Sequence, residues 1–315
     1  MKLYRSWAYN PQATQVGAVQ QWRNSDLPQP LGNAGSLLAV GNGRSYGDSC
    51  LNTTGSLIDC RAMDHFIQFD SQNGVLRCEA GVLLSEILKI VLPQGWFLPV
   101  TPGTSFATIG GALANDVHGK NHHRDGCFGN HVRAFELIRS DGSRQMCTPE
   151  QNADFFSATI GGLGLTGLVT WIEVQLIAVT SDQMNVDTIA FHGLEEFVEL
   201  SISSKNSHQY TVAWLDCSAK GSNFARGIFI RANHSDEHTD IKRSEVSSAI
   251  SVPFNFPSWC LNSYSIKAFN TLYFNKHRSF SQGQSSQNYA SYFYPLDGLR
   301  DWNRIYGRRG FYQYQ

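Results

Sequence analysis

Four glycine-rich segments in the first half of the chain constrain its fold more than any other feature. Each can expose successive backbone N–H groups, which bind phosphate and other anions without cationic side chains. The chain has 25 Lys plus Arg against 26 Asp plus Glu, and this balance argues against a general nucleic-acid binder. The pattern favours a host for a large dinucleotide. The segments are VGNGRSYGD (40–48), PGTSFATIGGALANDVHGKNHH (102–123), GCFGNHV (126–132) and IGGLGLTG (160–167).

The familiar nucleotide motifs do not explain these segments. Gly162, Gly164 and Gly167 match G-x-G-x-x-G, which in a Rossmann fold follows a strand and opens a helix. Here a predicted helix (154–159) precedes the motif and a β-rich run follows it. The first segment fails as well, because Tyr46 stands at the third glycine position, and no P-loop motif occurs. We therefore expect a different dinucleotide-binding architecture.

Length and composition indicate a globular protein with one large or two medium domains. The chain has 315 residues, of which 42% are hydrophobic and 16% charged, enough for a substantial core. Seven scattered cysteines, none in a C-x-x-C motif, argue against a zinc ribbon or a disulfide framework. The N-terminus lacks the apolar stretch of a secretory signal, and no segment reaches the roughly 18 apolar residues of a membrane span. We expect a cytoplasmic protein, with peripheral membrane contact left open.

Hydrophobic periodicity predicts alternating short strands and helices. Residues 233–288 show weak periodicity and are predicted as a mobile loop over a site or as poorly patterned structure. The end of the chain resembles a strand cut in its middle, so a fragment is expected. Strands are predicted over 36–40, 56–60, 66–70, 75–82, 132–139, 167–179, 184–191, 209–217 and 227–231, and helices over 83–91, 154–159 and 194–201.

The second glycine-rich segment carries the main candidates for chemistry. A helix is predicted to start near Thr108 and to deliver His118 and Lys120 to one place. A metal site is the alternative, although Lys120 would repel a cation and no H-E-x-x-H spacing occurs. For two of the histidines, His122 and His123, hydrogen bonding within a packed core is a further alternative. The candidate metal ligands are His118, His122 and His123 with Asp116 or Asp125.

Taken in order, the four segments resemble the flavin-binding domain of the vanillyl-alcohol-oxidase type (PCMH-type) flavoproteins. Within that group they are similar to the decaprenylphosphoryl-β-D-ribose 2′-oxidases, and weaker matches continue through AWLD (213–216), PLD (295–297), WNR-x-YG (302–307) and GFYQYQ (310–315). The resemblance implies an α+β fold. A PCMH-type FAD-binding domain would span 1–179. A partial α+β substrate (cap) domain with an antiparallel sheet, truncated at its C-terminus, would span 180–315.

The resemblance implies FAD as the cofactor and no metal. Many relatives attach the flavin covalently through a histidine in the first segment, where this chain has Tyr46, so noncovalent FAD is expected. The backbone near Val169 would contact the adenosine. The residues expected to contact FAD are Val40, Gly41, Asn42, Gly43, Arg44, Ser45, Tyr46, Gly47, Asp48, Gly103, Thr108, Ile109, Gly110, Gly111, Asn115, Val117, His118 and Val169.

The reaction implied by the resemblance is oxidation of a sugar secondary alcohol to a ketone, with hydride transfer to flavin N5. The substrate would be a sugar or a lipid-phosphate sugar, such as ribose linked to a polyprenyl phosphate and oxidised at C2. His118 suits the substrate hydroxyl and Lys120 the phosphate. Trp214, Gln313 and Gln315 fall on substrate-pocket positions.

Two features of the sequence depart from the family pattern. Phe293 replaces a pocket tyrosine, and the chain ends before the section that carries a catalytic lysine in the family. The alternatives are therefore an aldonolactone or polyol oxidase of the same fold, a noncatalytic flavin-binding fragment, and a metal-dependent hydrolase. If the ribose oxidase reading holds, a short-chain reductase is the expected partner, and the context is cell-wall arabinan or polysaccharide biosynthesis.

Overall fold

Two sheets organise the first part of the molecule. The computed structural model describes residues 3–11, 13, 15–29, 35–237, 250–280 and 283–311. A small mixed sheet has the order β1-β2-β4-β3, and a five-stranded antiparallel sheet has the order β5-β6-β10-β8-β9. The strands are β1 (Leu3–Tyr4), β2 (Gln15–Val19), β3 (Leu37–Val40), β4 (Ser56–Asp59), β5 (Phe66–Asp70), β6 (Val75–Glu79), β7 (Trp96–Phe97), β8 (Val132–Ile138), β9 (Arg144–Cys147), β10 (Leu168–Gln175) and β11 (Ile177–Ala178).

Short helices connect and cover these strands. Helix α1 (Leu84–Val91) buries Leu84, Ile87, Leu88 and Val91, whose spacing of three and four residues places them on one face. A 3₁₀ turn over Leu92–Gln94 follows and ends at Gly95, which has a φ of +81°. The other elements are α2 (Ile109–Ala114), α3 (His122–Asp125), a 3₁₀ turn over Phe128–His131, and α4 (Ala153–Thr159).

The second part is built on a four-stranded antiparallel sheet with the order β13-β14-β12-β16. The long helix α6 packs against two of these strands, β12 and β14. The elements are β12 (Gln183–His192), α5 (Leu194–Ser204), β13 (Tyr210–Leu215), a 3₁₀ turn over Gly221–Asn223, β14 (Arg226–His234), β15 (Ile250–Ser251), α6 (Ser263–Phe280), β16 (Gln284–Asn288), α7 (Tyr289–Phe293), β17 (Leu299–Arg300) and 3₁₀ turns over Trp302–Arg309.

Most predicted elements are present, and the α+β class is confirmed. The predicted strand over 167–179 is interrupted at Leu176, and β9 was not predicted. The prediction of a loop or poorly patterned structure over 233–288 is wrong for residues 263–280, which form α6; residues 238–249 and 281–282 lie outside the described residues. Within the described part, the C-terminal region is 3₁₀ turns rather than a strand, and residues 312–315 lie outside it. No described helix is long and apolar enough to cross a membrane.

Candidate functional site

A cleft of about 980 Å³ lies where three of the four glycine-rich segments meet. Ligand pockets in proteins usually measure about 300–1,000 Å³, so this cleft admits a ligand as large as a dinucleotide. Segments distant in sequence close it. The cleft is lined by residues from 39–50, 102–118 and 159–169, together with Trp7 and residues 296–302.

The first segment is a bend between β3 and β4 that presents backbone donors. In the described part of the chain, the N–H groups from Asn42 to Ser49 have no backbone acceptor. The Asn42 Nδ2 atom donates to the Phe106 carbonyl at 2.8 Å, which ties this bend to the second segment. Unpaired N–H groups at the wall of a cleft are suited to binding the oxygens of a diphosphate.

The second segment forms α2, which begins where the sequence predicts. Thr108 is the N-cap, and its Oγ1 atom accepts a hydrogen bond from the Gly111 N–H at 3.1 Å. A Cβ at Gly41 would overlap the Thr108 hydroxyl, and a Cβ at Gly110 would lie 2.8 Å from the Ala80 carbonyl oxygen. The glycines therefore allow the first bend, α2 and the neighbouring strand to approach closely.

The third segment supports the cleft from behind. Its residues are absent from the described cleft lining. The Gly129 N–H donates to Asp116 Oδ1 at 2.8 Å, and the Phe128 N–H donates to the Val117 carbonyl at 2.9 Å. No residue of this segment is among the expected FAD contacts, so its place behind the second segment leaves those expectations unchanged.

The fourth segment follows a helix and precedes a strand, as the sequence predicts, which is the reverse of the order in a Rossmann motif. It follows helix α4 and leads into strand β10, so the rejection of a Rossmann fingerprint is confirmed. Gly164, Gly167, Leu168 and Val169 line the cleft. Gly167 has a φ of +148°, and a Cβ there would collide with the Ile138 carbonyl oxygen. Only glycine satisfies both conditions at this position.

The side-chain carboxylate of Asp297, which lies late in the chain, holds the second segment in place by hydrogen bonds. Asp297 is 8% exposed. Its Oδ1 atom accepts from the Thr104 hydroxyl at 2.6 Å, and its Oδ2 atom accepts from the Ser105 N–H and hydroxyl, each at 2.7 Å. The Tyr294 hydroxyl lies 2.7 Å from Thr101 Oγ1. This clamp joins residues about 190 positions apart, and no local pattern in the sequence predicts it.

One half-buried guanidinium places a positive charge in the cleft. Arg44 lines the cleft and stacks over Trp7, with Cζ 4.1 Å from the ring centroid. Burial lowers the pKa of Arg44, while Asp297 and Asp301 act in the opposite direction. Its Nε atom is buried and has no hydrogen-bond partner among the described residues. An unpartnered donor beside unpaired backbone N–H groups fits a diphosphate, so the residues present suit the expected dinucleotide.

Most of the residues expected to contact FAD lie at the cleft, with two corrections. Asp48 is exposed and absent from the described lining. Ile109 is fully buried in the hydrophobic core, because the first turn of α2 points it inward while Gly110 and Gly111 face the cleft. The expected residues found at the cleft are Val40, Gly41, Asn42, Gly43, Arg44, Ser45, Tyr46, Gly47, Gly103, Thr108, Gly110, Gly111, Asn115, Val117, His118 and Val169.

The two side chains that were predicted to be catalytic do not both lie at the cleft. His118 lines the cleft, whereas Lys120 is absent from the described lining. The Lys120 ammonium donates to the Tyr292 carbonyl and lies 4.2 Å from the centroid of the Tyr292 ring. Burial lowers the pKa of Lys120 to about 8. A partly buried amine of this kind is poised to change charge near neutral pH.

The alternative readings of the histidines find little support. His122 and His123 are exposed, so packing in a core is wrong for both. Among the described residues, no group of three or more His, Cys, Asp or Glu side chains is arranged to hold a metal ion.

Of the three predicted substrate residues, one lies within the described part of the chain. Trp214 lies on β13, away from the described lining of the cleft, with its ring 4.8 Å from that of Tyr273. Gln313 and Gln315 lie outside the described residues. Phe293 is 1% exposed and packs within the core, 4.9 Å from the ring of Tyr210.

Comparison with known proteins finds the same domain at the same place. A family model described as the FAD binding domain matches residues 33–148. The decaprenylphosphoryl-beta-D-ribose oxidase of Mycolicibacterium smegmatis is 33% identical over 288 residues, or 89% of this chain and 62% of that enzyme. The chain thus spans less than two thirds of that relative.

Two further relatives match over shorter stretches. The delta(24)-sterol reductase of Homo sapiens is 30% identical over 111 residues, or 35% of this chain and 22% of that protein. The L-gulonolactone oxidase of Mus musculus is 28% identical over 138 residues, or 44% of this chain and 31% of that protein. The cleft with its unpaired donors lies largely within the matched FAD-binding region. Residues 33–148 therefore match an FAD binding domain, and FAD is the cofactor of the chain.

Proposed function

We propose that this protein oxidises a secondary alcohol of a sugar to a ketone, and that the sugar is a ribose linked to a polyprenyl phosphate and oxidised at C2. The observation that carries the proposal is the extent of the similarity to the ribose oxidase. It covers 89% of the chain and so continues through the second part, which in this reading forms the substrate domain over residues 180–315. Similarity confined to the FAD-binding region would have supported the fold alone.

FAD, when bound, supplies the hydride acceptor; the protein's own residues bind and orient the substrate and move the proton. The backbone donors from Asn42 to Ser49 and the Arg44 guanidinium would hold the diphosphate, with the backbone near Val169 at the adenosine. His118, at the cleft, would accept or relay the hydroxyl proton. Lys120, whose ammonium lies over the ring of Tyr292, would attract the substrate phosphate.

Anaerobic reduction of the flavin tests the proposal. A polyprenyl-phosphate ribose, or a short-chain analogue of it, is mixed with the FAD-loaded protein in the absence of oxygen, and the visible flavin absorption is followed. The proposal expects bleaching with this substrate. FAD bound tightly but left oxidised by every sugar tried would instead support the noncatalytic flavin-binding reading.

A smaller polyol or aldonolactone is the second candidate substrate, favoured by the similarity to L-gulonolactone oxidase over 44% of the chain. The same anaerobic assay separates the two candidates. Faster bleaching by an unphosphorylated lactone than by the phosphate-linked ribose would select the second. If the first holds, the ketone product would pass to a short-chain reductase that returns it to an alcohol of opposite configuration, a step suited to making arabinose donors for cell-wall polysaccharide.

Noncovalent attachment of FAD is the first testable prediction. Tyr46 stands where many relatives carry the histidine that bonds the flavin, and its ring packs 5.1 Å from that of Phe311. Acid precipitation of the FAD-loaded protein should leave a colourless pellet and free FAD in the supernatant. A yellow pellet that withstands repeated washing would contradict the prediction.

The pH dependence of substrate affinity is the second prediction. The pKa of Lys120 lies at about 8, so its positive charge is lost as the pH rises through that value. Between pH 7 and pH 9 the charged fraction falls about tenfold, and affinity for the phosphate-bearing sugar should fall with it by up to about the same factor. Flavin fluorescence titrations measure this affinity. In the matched Lys120→Met variant the affinity should be lower and flat with pH; a wild-type affinity that is equally flat would remove Lys120 from phosphate binding.

A further inference from the structure

The N-terminal segment (residues 5–9) is tied to two parts of the molecule that are distant from it in sequence. The Trp7 N–H donates to the Ser45 carbonyl, in the first glycine-rich bend, at 2.9 Å. The Asn303 Nδ2 atom donates to the Trp7 carbonyl at 2.7 Å, and Asn303 is buried. Because both backbone polar groups of Trp7 are hydrogen-bonded, the residue is held at the cleft, which it lines.

The indole of Trp7 supports the guanidinium of Arg44. The Arg44 Cζ atom lies 4.1 Å from the centroid of the Trp7 ring and 5.2 Å from that of the Phe106 ring. All three residues line the cleft. A guanidinium is attracted to an aromatic face and stacks on it, which restricts the rotation of the long side chain. An arginine that is already ordered loses less conformational freedom when its ligand binds.

Within the described residues, aromatic rings rather than a carboxylate hold this guanidinium. The two carboxylates that act electrostatically on Arg44, those of Asp297 and Asp301, are hydrogen-bonded elsewhere. Asp297 accepts three hydrogen bonds from the second glycine-rich segment, and Asp301 accepts one from the Ser251 hydroxyl. The buried Arg44 Nε atom has no hydrogen-bond partner in the described part of the chain. Its N–H is therefore available to an anion that enters the cleft, and a guanidinium suits the oxygens of a phosphate.

We propose that Trp7 is a positioning residue, which holds the Arg44 guanidinium in place for a phosphate group bound in the cleft. Trp7 then affects ligand affinity through Arg44, and the N-terminal segment becomes part of the binding machinery. Two ligands bring a phosphate to the cleft, namely FAD with its diphosphate and the sugar substrate with its phosphate. The FAD case depends on the cofactor alone, whereas the sugar case rests on the proposed function.

A double-mutant cycle in the flavin-free protein tests the proposal. FAD affinity is measured by flavin fluorescence in the wild type, Trp7→Leu, Arg44→Met and the double variant. Trp7→Leu should weaken binding about tenfold, the size of a desolvated cation–π contact. In the Arg44→Met background the same change should alter affinity within about twofold, because the group that Trp7 positions is absent. Trp7→Phe, which keeps an aromatic face, should restore most of the affinity.

Trp22→Leu is the matched control for Trp7→Leu. The Trp22 ring also lies 4.1 Å from a guanidinium carbon, that of Arg23, but Trp22 is absent from the described cleft lining. The control variant should bind FAD as the wild type does. Riboflavin, which has the flavin ring without the phosphates, separates positioning from folding. Trp7→Leu should leave riboflavin affinity unchanged, since only phosphate binding depends on Arg44.

The same cycle in the FAD-saturated protein, with the short-chain analogue of the polyprenyl-phosphate ribose, covers the second phosphate. Coupling between Trp7 and Arg44 in FAD affinity places the diphosphate at Arg44, and coupling in sugar affinity alone places the substrate phosphate there. Either result supports the positioning role. The proposal is overturned if neither ligand shows coupling, if Trp7→Leu weakens FAD and riboflavin equally, or if Trp22→Leu weakens FAD as much as Trp7→Leu does. The FAD cycle contains no sugar, so failure of sugar oxidation leaves its result intact.

Discussion

Replacing His118 by alanine is expected to leave FAD bound and to slow anaerobic reduction of the flavin by about 10²–10⁴-fold, the usual contribution of a positioned acid–base group. His118 lies at the cleft lining, in the segment that follows α2. Removing its imidazole deletes the group proposed to take the hydroxyl proton, while the backbone donors that would hold the cofactor are unchanged. Stopped-flow absorption with the phosphate-linked sugar measures the rate.

His122→Ala is the matched control for this experiment. Its ring is 5.9 Å from that of His118, and it is exposed and absent from the described cleft lining. The control variant should reduce its flavin within a few-fold of the wild-type rate. If His118→Ala reduces its flavin as fast as His122→Ala does, His118 has no part in proton transfer.

Replacing Asp297 by alanine is expected to weaken FAD binding by about 100-fold or more. The carboxylate accepts three hydrogen bonds from Thr104 and Ser105, and these hold the second glycine-rich segment at the cleft. Hydrogen bonds to a charged group contribute about 1.5–3 kcal/mol each, and a loss of about 2.7 kcal/mol already corresponds to 100-fold in affinity. Quenching of flavin fluorescence by the FAD-free protein measures the dissociation constant.

Asp301→Asn serves as the control, because Asp301 also lines the cleft and its change removes the same negative charge. Its carboxylate accepts instead from the Ser251 hydroxyl at 2.9 Å. The control should change FAD affinity only a few-fold, since the Thr104 and Ser105 contacts remain. Equal losses in the two variants would show that the charge, and not the position of the second segment, governs binding.

Local patterns predicted those features of the cleft that depend on neighbouring residues. The first bend, the start of α2 at Thr108 and the reversed context of Gly162, Gly164 and Gly167 each depend on neighbouring residues. Within a bend, however, spacing does not fix which side chain turns inward. The family resemblance placed the whole run from Thr108 to Gly111 at the flavin, although the first turn of α2 buries the side chain of Ile109.

Sequence patterns predicted neither the long-range contacts nor the weakly patterned helix α6. No local signal links Asp297 to Ser105, because 192 residues separate them. Helix α6 was missed since one side of it is anchored by Asn270, Thr271 and Phe274 while its exposed side carries Phe269 and Leu272. An apolar exposed side removes the polar-to-apolar contrast by which an amphipathic helix is recognised.

The binding of FAD by this cleft is tested most directly by titrating FAD into flavin-free protein, wild type and Gly103→Phe, with flavin fluorescence as the readout. Gly103 lines the cleft, and a Cβ there would have no atom within 4 Å, so a larger side chain at this position starts in open space. We predict saturation at one FAD per wild-type chain and strongly weakened binding in a variant of unchanged circular dichroism. Undiminished binding of FAD by Gly103→Phe, or no saturable binding by the wild type, would contradict the account.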